Sequence, residues 1–255
     1  MRGGKMKCFI RRIFVAAIII VIWFVIAEGV NPLFIPGPDL VLRGIISLFD
    51  SGQLSAGIIF SFKRVTMASI FSGGLALVFG LFIYSIKYIR ELLYPIVKTM
   101  RYIPVTAFYP LLIMWCGIGE IMKITFLILV TFVSMMPAVV LALNNVNPDL
   151  VDTGKTLGMN RIQVILMVVL PDAMPSIFEN FVLLISIGWT YVPFVETINA
   201  KYGLGYIIHQ SSSRGRTDLV FASIAMIMII SVICDKLAGF IGAKMFKWRY
   251  LKQDD

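Results

Sequence analysis

Gly154-Lys155-Thr156 is the tripeptide that closes a phosphate-binding loop, G-x-x-x-x-G-K-S/T, in which backbone N–H groups and the lysine cradle phosphates. The first glycine of that loop would fall on residue 149, which is Asp149. A carboxylate there repels phosphate, and no strand-like run precedes it, so the tripeptide holds no nucleotide. His209 is the sole histidine and has no second ligand or nucleophile at a working spacing. Cys8, Cys116 and Cys234 are odd in number, far apart, and form no C-x-x-C, which argues against a metal or disulfide framework. No H-E-x-x-H, G-x-S-x-G or paired-carboxylate pattern occurs, so neither catalysis nor a cofactor is expected. The polar stretch that remains is D-L-V-D-T-G-K-T-L-G-M-N-R-I-Q-V-I-L-M-V-V-L-P, residues 149–171, inside an otherwise apolar chain.

That stretch has the makings of a short amphipathic helix from Asp149 to Leu157. Pro148 suits a first helical position, and Asp149 and Asp152 favour the positive end of the helix dipole. Leu150, Val151 and Leu157 are expected to form one apolar face, with Lys155 on the other. Gly154 weakens the helix, and Gly158 suits the positive-φ residue that ends one. A structured loop of this kind between apolar runs either docks a cytoplasmic partner or lies on the membrane surface.

The elements that must position this loop are read from composition. Of 255 residues, 59% are hydrophobic and only 15% charged, with a mean hydropathy of +0.90. A soluble domain is nearer half apolar and a quarter charged, so the surplus faces lipid. The net charge of +9 does not mark a nucleic-acid binder, because the basic residues flank apolar runs and form no aromatic-lined groove. Six runs approach the ~20 residues that a helical span requires, at about 10–28, 62–84, 99–118, 122–143, 176–197 and 219–243. The absence of period-2 alternation excludes a barrel, leaving an all-α membrane protein of six transmembrane helices, expected as one domain over 1–255 with its core at about 54–243. The basic N-terminus and Ile13–Ala27 imitate a signal peptide, but an uncleaved first span is the expectation.

Lys and Arg sort unevenly. With the N-terminus inside, the inner side carries Arg2, Lys5, Lys7, Arg11, Arg12, Lys87, Arg90, Lys98, Arg101, Lys155, Arg161 and the basic C-terminal tail. Arg43, Lys63, Arg64, Lys123, Lys201, Arg214 and Arg216 fall at outer helix ends and loops, fewer than half as many. The asymmetry places both termini and the loop 144–175 in the cytoplasm. Outer loop 29–55 holds Pro32, Pro36 and Pro38, which predicts a stiff, extended connector. In outer loop 198–218, the first half is expected as a short helix and the second half as exposed loop.

Asp152-Thr153-Gly154, then Gly158, then Leu170-Pro171, resembles the E-A-A loop of bacterial ABC importer permeases. Asp152 stands where the family has Glu, and Thr153 and Gly154 replace its two alanines. Leu33-Phe34-Ile35-Pro36-Gly37-Pro38, Arg101-Tyr102-Ile103-Pro104 with Trp115-Cys116-Gly117-Ile118-Gly119, and Gly203-Leu204-Gly205-Tyr206 with Arg216-Thr217-Asp218-Leu219 are similar to segments of the taurine/nitrate/sulfonate/bicarbonate subfamily. The resemblance implies a type I ABC importer permease in the bacterial inner membrane, working as two such subunits, often identical. It implies cytoplasmic ATP-binding subunits gripping the loop, and an extracytoplasmic binding protein that delivers a small anion or a vitamin precursor. Asp149, Asp152, Gly154, Lys155, Leu157, Gly158 and Pro171 are the loop's expected coupling residues, with Pro171 ending the run before the fifth span. An ATPase-independent secondary transporter is the competing class, disfavoured because no inverted repeat is evident.

Ionisable and polar groups at membrane depth are costly and usually functional. Glu196 near the outer end of the fifth run, with Tyr191 and Trp189 of the aromatic, proline-broken stretch Trp189–Phe194, is expected to border the translocation pathway. Gly73, Gly74 and Gly80 are expected to allow close helix approach.

Overall fold

The computed structural model describes residues 2–250, excluding the side chains of residues 2–10, 12, 13, 249 and 250. Expectations resting on the side chains of Arg2, Lys5, Lys7, Cys8, Arg12, Arg249 and Lys252 therefore lie outside the described residues. Every regular element among the described residues is helical. Helices α1 (Arg2–Gly29), α2 (Pro38–Asp50), α3 (Gln53–Ser85), α4 (Lys87–Thr99), α5 (Tyr109–Cys116), α6 (Glu120–Asn144) and α7 (Pro148–Thr156) come first. α8 (Arg161–Glu196), α9 (Leu204–Ser213), α10 (Thr217–Met245) and the short α11 (Lys247–Tyr250) follow.

Among the described residues, four helices are long and apolar enough to cross a membrane: α3, α6, α8 and α10. The first three form the core. Gly73 and Gly80 permit their close approach, since a Cβ on Gly73 would fall 2.9 Å from the Phe181 ring and one on Gly80 would fall onto Val139. Gly74 faces open space and plays no such part. α6 runs parallel to α3, since Arg64 meets Glu120 and Gly80 meets Val139, and α8 runs antiparallel to it, since Val65 meets Gly188 and Gly73 meets Phe181. The interior between them is filled by Phe126, Leu127, Met135, Val139, Leu143 and Trp189, all almost fully buried. α10 packs on α8, where Gly242 admits the Phe178 ring, but presents most of its surface outward, as does the apolar stretch Phe14–Gly29 of α1.

Several expected boundaries move. The connector 29–55 is not all extended: α2 starts at Pro38, where proline is tolerated in a first turn, and buries Val41, Gly44 and Leu48 on one face. α3 begins at Gln53, nine residues before the expected start. The run 99–118 is not one helix. Pro104 and Pro110 interrupt it, leaving 3-10 turns at Met100–Tyr102 and Val105–Phe108 ahead of an eight-residue α5. Ile103 is extended (ψ 121°), as sterics with a following proline require. Pro171 does not end a run either. α8 is continuous through it, because a π-helical turn at Ile165–Val169 leads into the proline, which needs no N–H partner there. The second half of 198–218 is helical as far as Ser213.

Candidate coupling surface and buried charge cluster

α7 is built from its ends. The Asn147 side chain accepts from the Asp149 N–H at 2.9 Å, Pro148 occupies the first turn, and Asp149 lies at the positive end of the dipole. At the far end Gly158 N–H donates to the Lys155 carbonyl (2.9 Å) and Met159 N–H to the Gly154 carbonyl (3.1 Å), with Gly158 at φ +80°. That pair of bonds is a Schellman stop, which needs a left-handed residue at Gly158. Asn160 and Gln163 then exchange capping bonds of 2.9 Å and start α8 two residues after the turn.

The helix has two faces, divided otherwise than its apolar residues suggest. Half-buried Val151 and buried Gly154 face the body, the latter against Val164 and Val168. Leu150 and Leu157, expected beside Val151, point out instead, 43% and 73% exposed. The outward surface also carries Asp149, Asp152, Thr153 and Lys155, with Lys155 Nζ 2.8 Å from Asp152 Oδ1. Both side chains of that pair are largely exposed, so it adds little stability. Solvent-exposed leucines framed by charges, on a helix fixed at both ends, form a surface suited to a partner's cleft.

At the opposite end of the core lies a cluster that the sequence reading did not assemble. Arg64 of α3 donates Nε to Glu120 Oε2 (2.7 Å) and Nη2 to Glu120 Oε1 (2.8 Å). Its Nη1 bonds the Glu196 carboxylate and the Tyr202 carbonyl (2.9 Å). Lys123 Nζ reaches Glu120 Oε1 (3.0 Å) and the Asn199 carbonyl (3.2 Å). Glu196 also accepts from Ser61 Oγ (2.8 Å) and Gly205 N–H (2.8 Å). Two cations thus neutralise two anions, and α3, α6, α8 and the turn into α9 are tied at one point. Arg64, Lys123 and Glu196 are buried to 3% exposure or less. Gly203 and Gly205 make room for it: a Cβ on Gly203 would fall on the Glu196 carboxylate, and one on Gly205 on the Pro193 backbone.

Glu196 and Trp189, expected to border a pathway, are enclosed by their own chain at 0% and 1% exposure. Tyr191 is half-buried, its ring centroid 6.4 Å from that of Phe126. Arg64 and Lys123 appeared in the sequence only as topology markers. The signals that could have exposed the cluster were the Glu120/Lys123 spacing of three and an arginine inside an apolar run. His209 is exposed on α9, as a residue with no partner should be.

An open polar cleft of about 430 Å³ lies between α6, α8 and the turn before α5. Arg101, Ser134, Asn145, Ser176 and Asn180 line it, beside Pro137. From Asn145 to Ser134 it runs roughly 16 Å along α6 from the α7 end, at 1.5 Å per residue. No carboxylate pairs with Arg101 among the described residues; its Nε reaches only the Lys98 carbonyl at 3.3 Å.

A family model described as binding-protein-dependent transport system inner membrane component matches residues 72–247. The taurine transport system permease protein of Escherichia coli is 28% identical over 239 residues, covering 91% of this chain and 87% of that protein. The structure of the MetNI methionine ABC transporter in inward-facing conformations is similar with a TM-score of 0.63 at 19% identity, covering 76% of this chain and 95% of that one. That of a bacterial alginate ABC transporter, in complex with a periplasmic protein bound to an alginate pentasaccharide, has a TM-score of 0.62 at 17% identity, covering 94% and 98%. At these identities the structural likenesses speak for the fold.

Proposed function

Since this chain belongs to the family of binding-protein-dependent transport system inner membrane components, matched over residues 72–247, we propose how it performs that role and on what. It is a multi-pass membrane transport subunit and not an enzyme; ATP hydrolysis belongs to a separate chain. In our reading both termini are cytoplasmic, and the spans number six when the shorter apolar helices Phe14–Gly29 and Val105–Cys116 join the four long ones. Two copies of the chain form the pathway, and an extracytoplasmic binding protein feeds it. α7 is the coupling helix: Leu150 and Leu157 enter a cleft of the ATPase, Asp149, Asp152 and Lys155 fix its orientation, and Gly154 and Gly158 set its seat and its stop. Pro171 takes the π-helical turn that joins this seat to the α8 span.

The observation that carries the reading is α7 itself, capped at both ends, seated through Gly154 and leaving Leu150 and Leu157 exposed among the described residues. The substrate is a small organic anion of the sulfonate type, as the taurine relative suggests. Arg101, Asn145 and Asn180 line its way through the open cleft, in place of Trp189 and Glu196. A guanidinium and two carboxamides supply donors to an anion's oxygens, and among the described residues the lining holds no acid. Titration calorimetry of the partner binding protein against sulfonates, nitrate, bicarbonate and vitamin precursors identifies the ligand. The complex reconstituted with its ATPase should then hydrolyse ATP faster when that ligand is delivered, and Asp152→Lys should abolish the stimulation. Uptake that proceeds without ATP would refute the reading in favour of a secondary transporter.

A further inference from the structure

At the α7 end of the core, a second cavity of about 490 Å³ opens between α4, α7 and the start of α8. Three cations from three elements border it: Arg90 of α4, Lys155 of α7 and Arg161 of α8. Among the described residues its lining contains no acidic residue. Lys155 already has Asp152, but neither Arg90 nor Arg161 meets a carboxylate among the described residues. Arg90 is held in place by the Tyr84 ring, with its guanidinium carbon 5.4 Å from the centroid. The floor is apolar: Val164, Ile165 and Val169 are buried, and Val151 and Met159 half-buried.

We propose that this cavity binds the headgroup phosphate of an anionic glycerophospholipid, which braces the coupling helix against α4. Two guanidiniums that meet no carboxylate among the described residues, facing one space with Lys155 beside them, match phosphate oxygens with forked donors. The apolar floor distinguishes a lipid from free phosphate, which has no use for it. The π-helical turn beside the cavity exposes Leu166 (52%) and Met167 (65%), a surface along which acyl chains can lie. α4 carries the marks of an interfacial helix, with Lys87, Arg90 and Lys98 on a segment that also exposes Leu92 and Ile96. Basic pockets at the cytoplasmic ends of membrane helices are where acidic headgroups settle. The placement at that interface rests on the orientation proposed above, whereas the anion site rests on the cavity alone.

The test uses the complete transporter in nanodiscs of phosphatidylcholine containing phosphatidylglycerol, delipidated stepwise and weighed by native mass spectrometry. The wild-type complex should keep phosphatidylglycerol bound after phosphatidylcholine is lost. Arg90→Gln/Arg161→Gln should cut that retention about tenfold or more, the scale of losing charge-assisted bonds. Lys98→Gln, whose ammonium sits 5.0 Å over the Tyr94 ring outside the cavity, should retain the lipid. If the double variant fails to assemble, Arg161→Gln alone decides, since its exposed side chain takes no part in the Asn160–Gln163 cap. Equal retention by wild type and variant, or none by wild type, overturns the proposal. Displacement of the lipid by millimolar inorganic phosphate reassigns the site to free phosphate. Retention only after the ATPase is stripped away reassigns it to an acidic side chain of that partner. None of these outcomes bears on ATP-driven uptake, so the importer reading stands or falls separately.

Discussion

Replacing Arg64 with leucine should be the most damaging single change in the core. Its side chain is 4% exposed and holds Glu120, Glu196 and the Tyr202 carbonyl at once. Arg64→Leu leaves Glu196 wholly enclosed with only Ser61 Oγ and Gly205 N–H against its charge. Removing one partner of a buried pair costs about 3–5 kcal/mol, chiefly because the other charge stays buried. That is between about two and four powers of ten in the folding equilibrium, or a melting-point loss of roughly 6–20 °C at about 2–4 °C per kcal/mol. The double variant Arg64→Leu/Glu196→Leu buries no orphan charge, leaving only the Gly205 N–H and the Tyr202 carbonyl short of a partner, while Lys123 still neutralises Glu120. It should therefore be more stable than Arg64→Leu alone, with a coupling energy of about 2–3 kcal/mol. The assay is thermal unfolding of the purified permease in detergent for wild type, both single variants and the double. Arg64→Leu within about 1 kcal/mol of wild type, or single effects that simply add, would refute the reasoning.

The same geometry sets three further expectations. Gly205→Ala should destabilise by about 1–3 kcal/mol, because its Cβ would stand 2.6 Å from the Pro193 Cα, an immovable neighbour; a thermal melt reads it. Gly154→Ala should be tolerated or should stabilise by up to about 1 kcal/mol, since its Cβ would meet Met159 Sδ and Val168 Cγ2 at an ordinary 3.4 Å; thermal unfolding again reports it. Arg101→Gln should lower uptake of a sulfonate by about tenfold or more in proteoliposomes while Arg101→Lys keeps most of it, and equal rates for all three proteins would remove the cleft from the pathway.

What the sequence disclosed follows from how local each feature is. α7 was legible because Pro148, Asp149 and Gly158 act on backbone within a few residues of themselves, and its ends fell within one residue of expectation, although the Asn147 cap went unread. The glycine contacts of α3 were half legible: small residues announce close approach, but only packing tells that Gly80 meets Val139 while Gly74 meets nothing. The face of α7 was misjudged because Leu150 and Leu157 look like core by type, whereas Val151 and Gly154 set the seat. The charge cluster was hidden because Arg64 lies 56 residues from Glu120 and 132 from Glu196, and no local rule links them. Hydropathy also joined residues 99–118 into one run, although Pro104 and Pro110 deny that run its backbone ladder. Read the other way, Pro171 looked like a breaker and is absorbed by a π-helical turn.

The central claim is that α7 is the point of contact with the ATPase. A photo-activatable amino acid at Leu157, with the same probe at Met114 as a control, tests it in the assembled complex. Met114 is 78% exposed and lies on α5, which leads into the charge-cluster end of α6. Irradiation should cross-link position 157 to the ATPase subunit, with a yield that changes on ATP binding, and should give no such product from position 114. A cross-link to the ATPase from Met114, or none from Leu157 in a complex that hydrolyses ATP, would contradict the account.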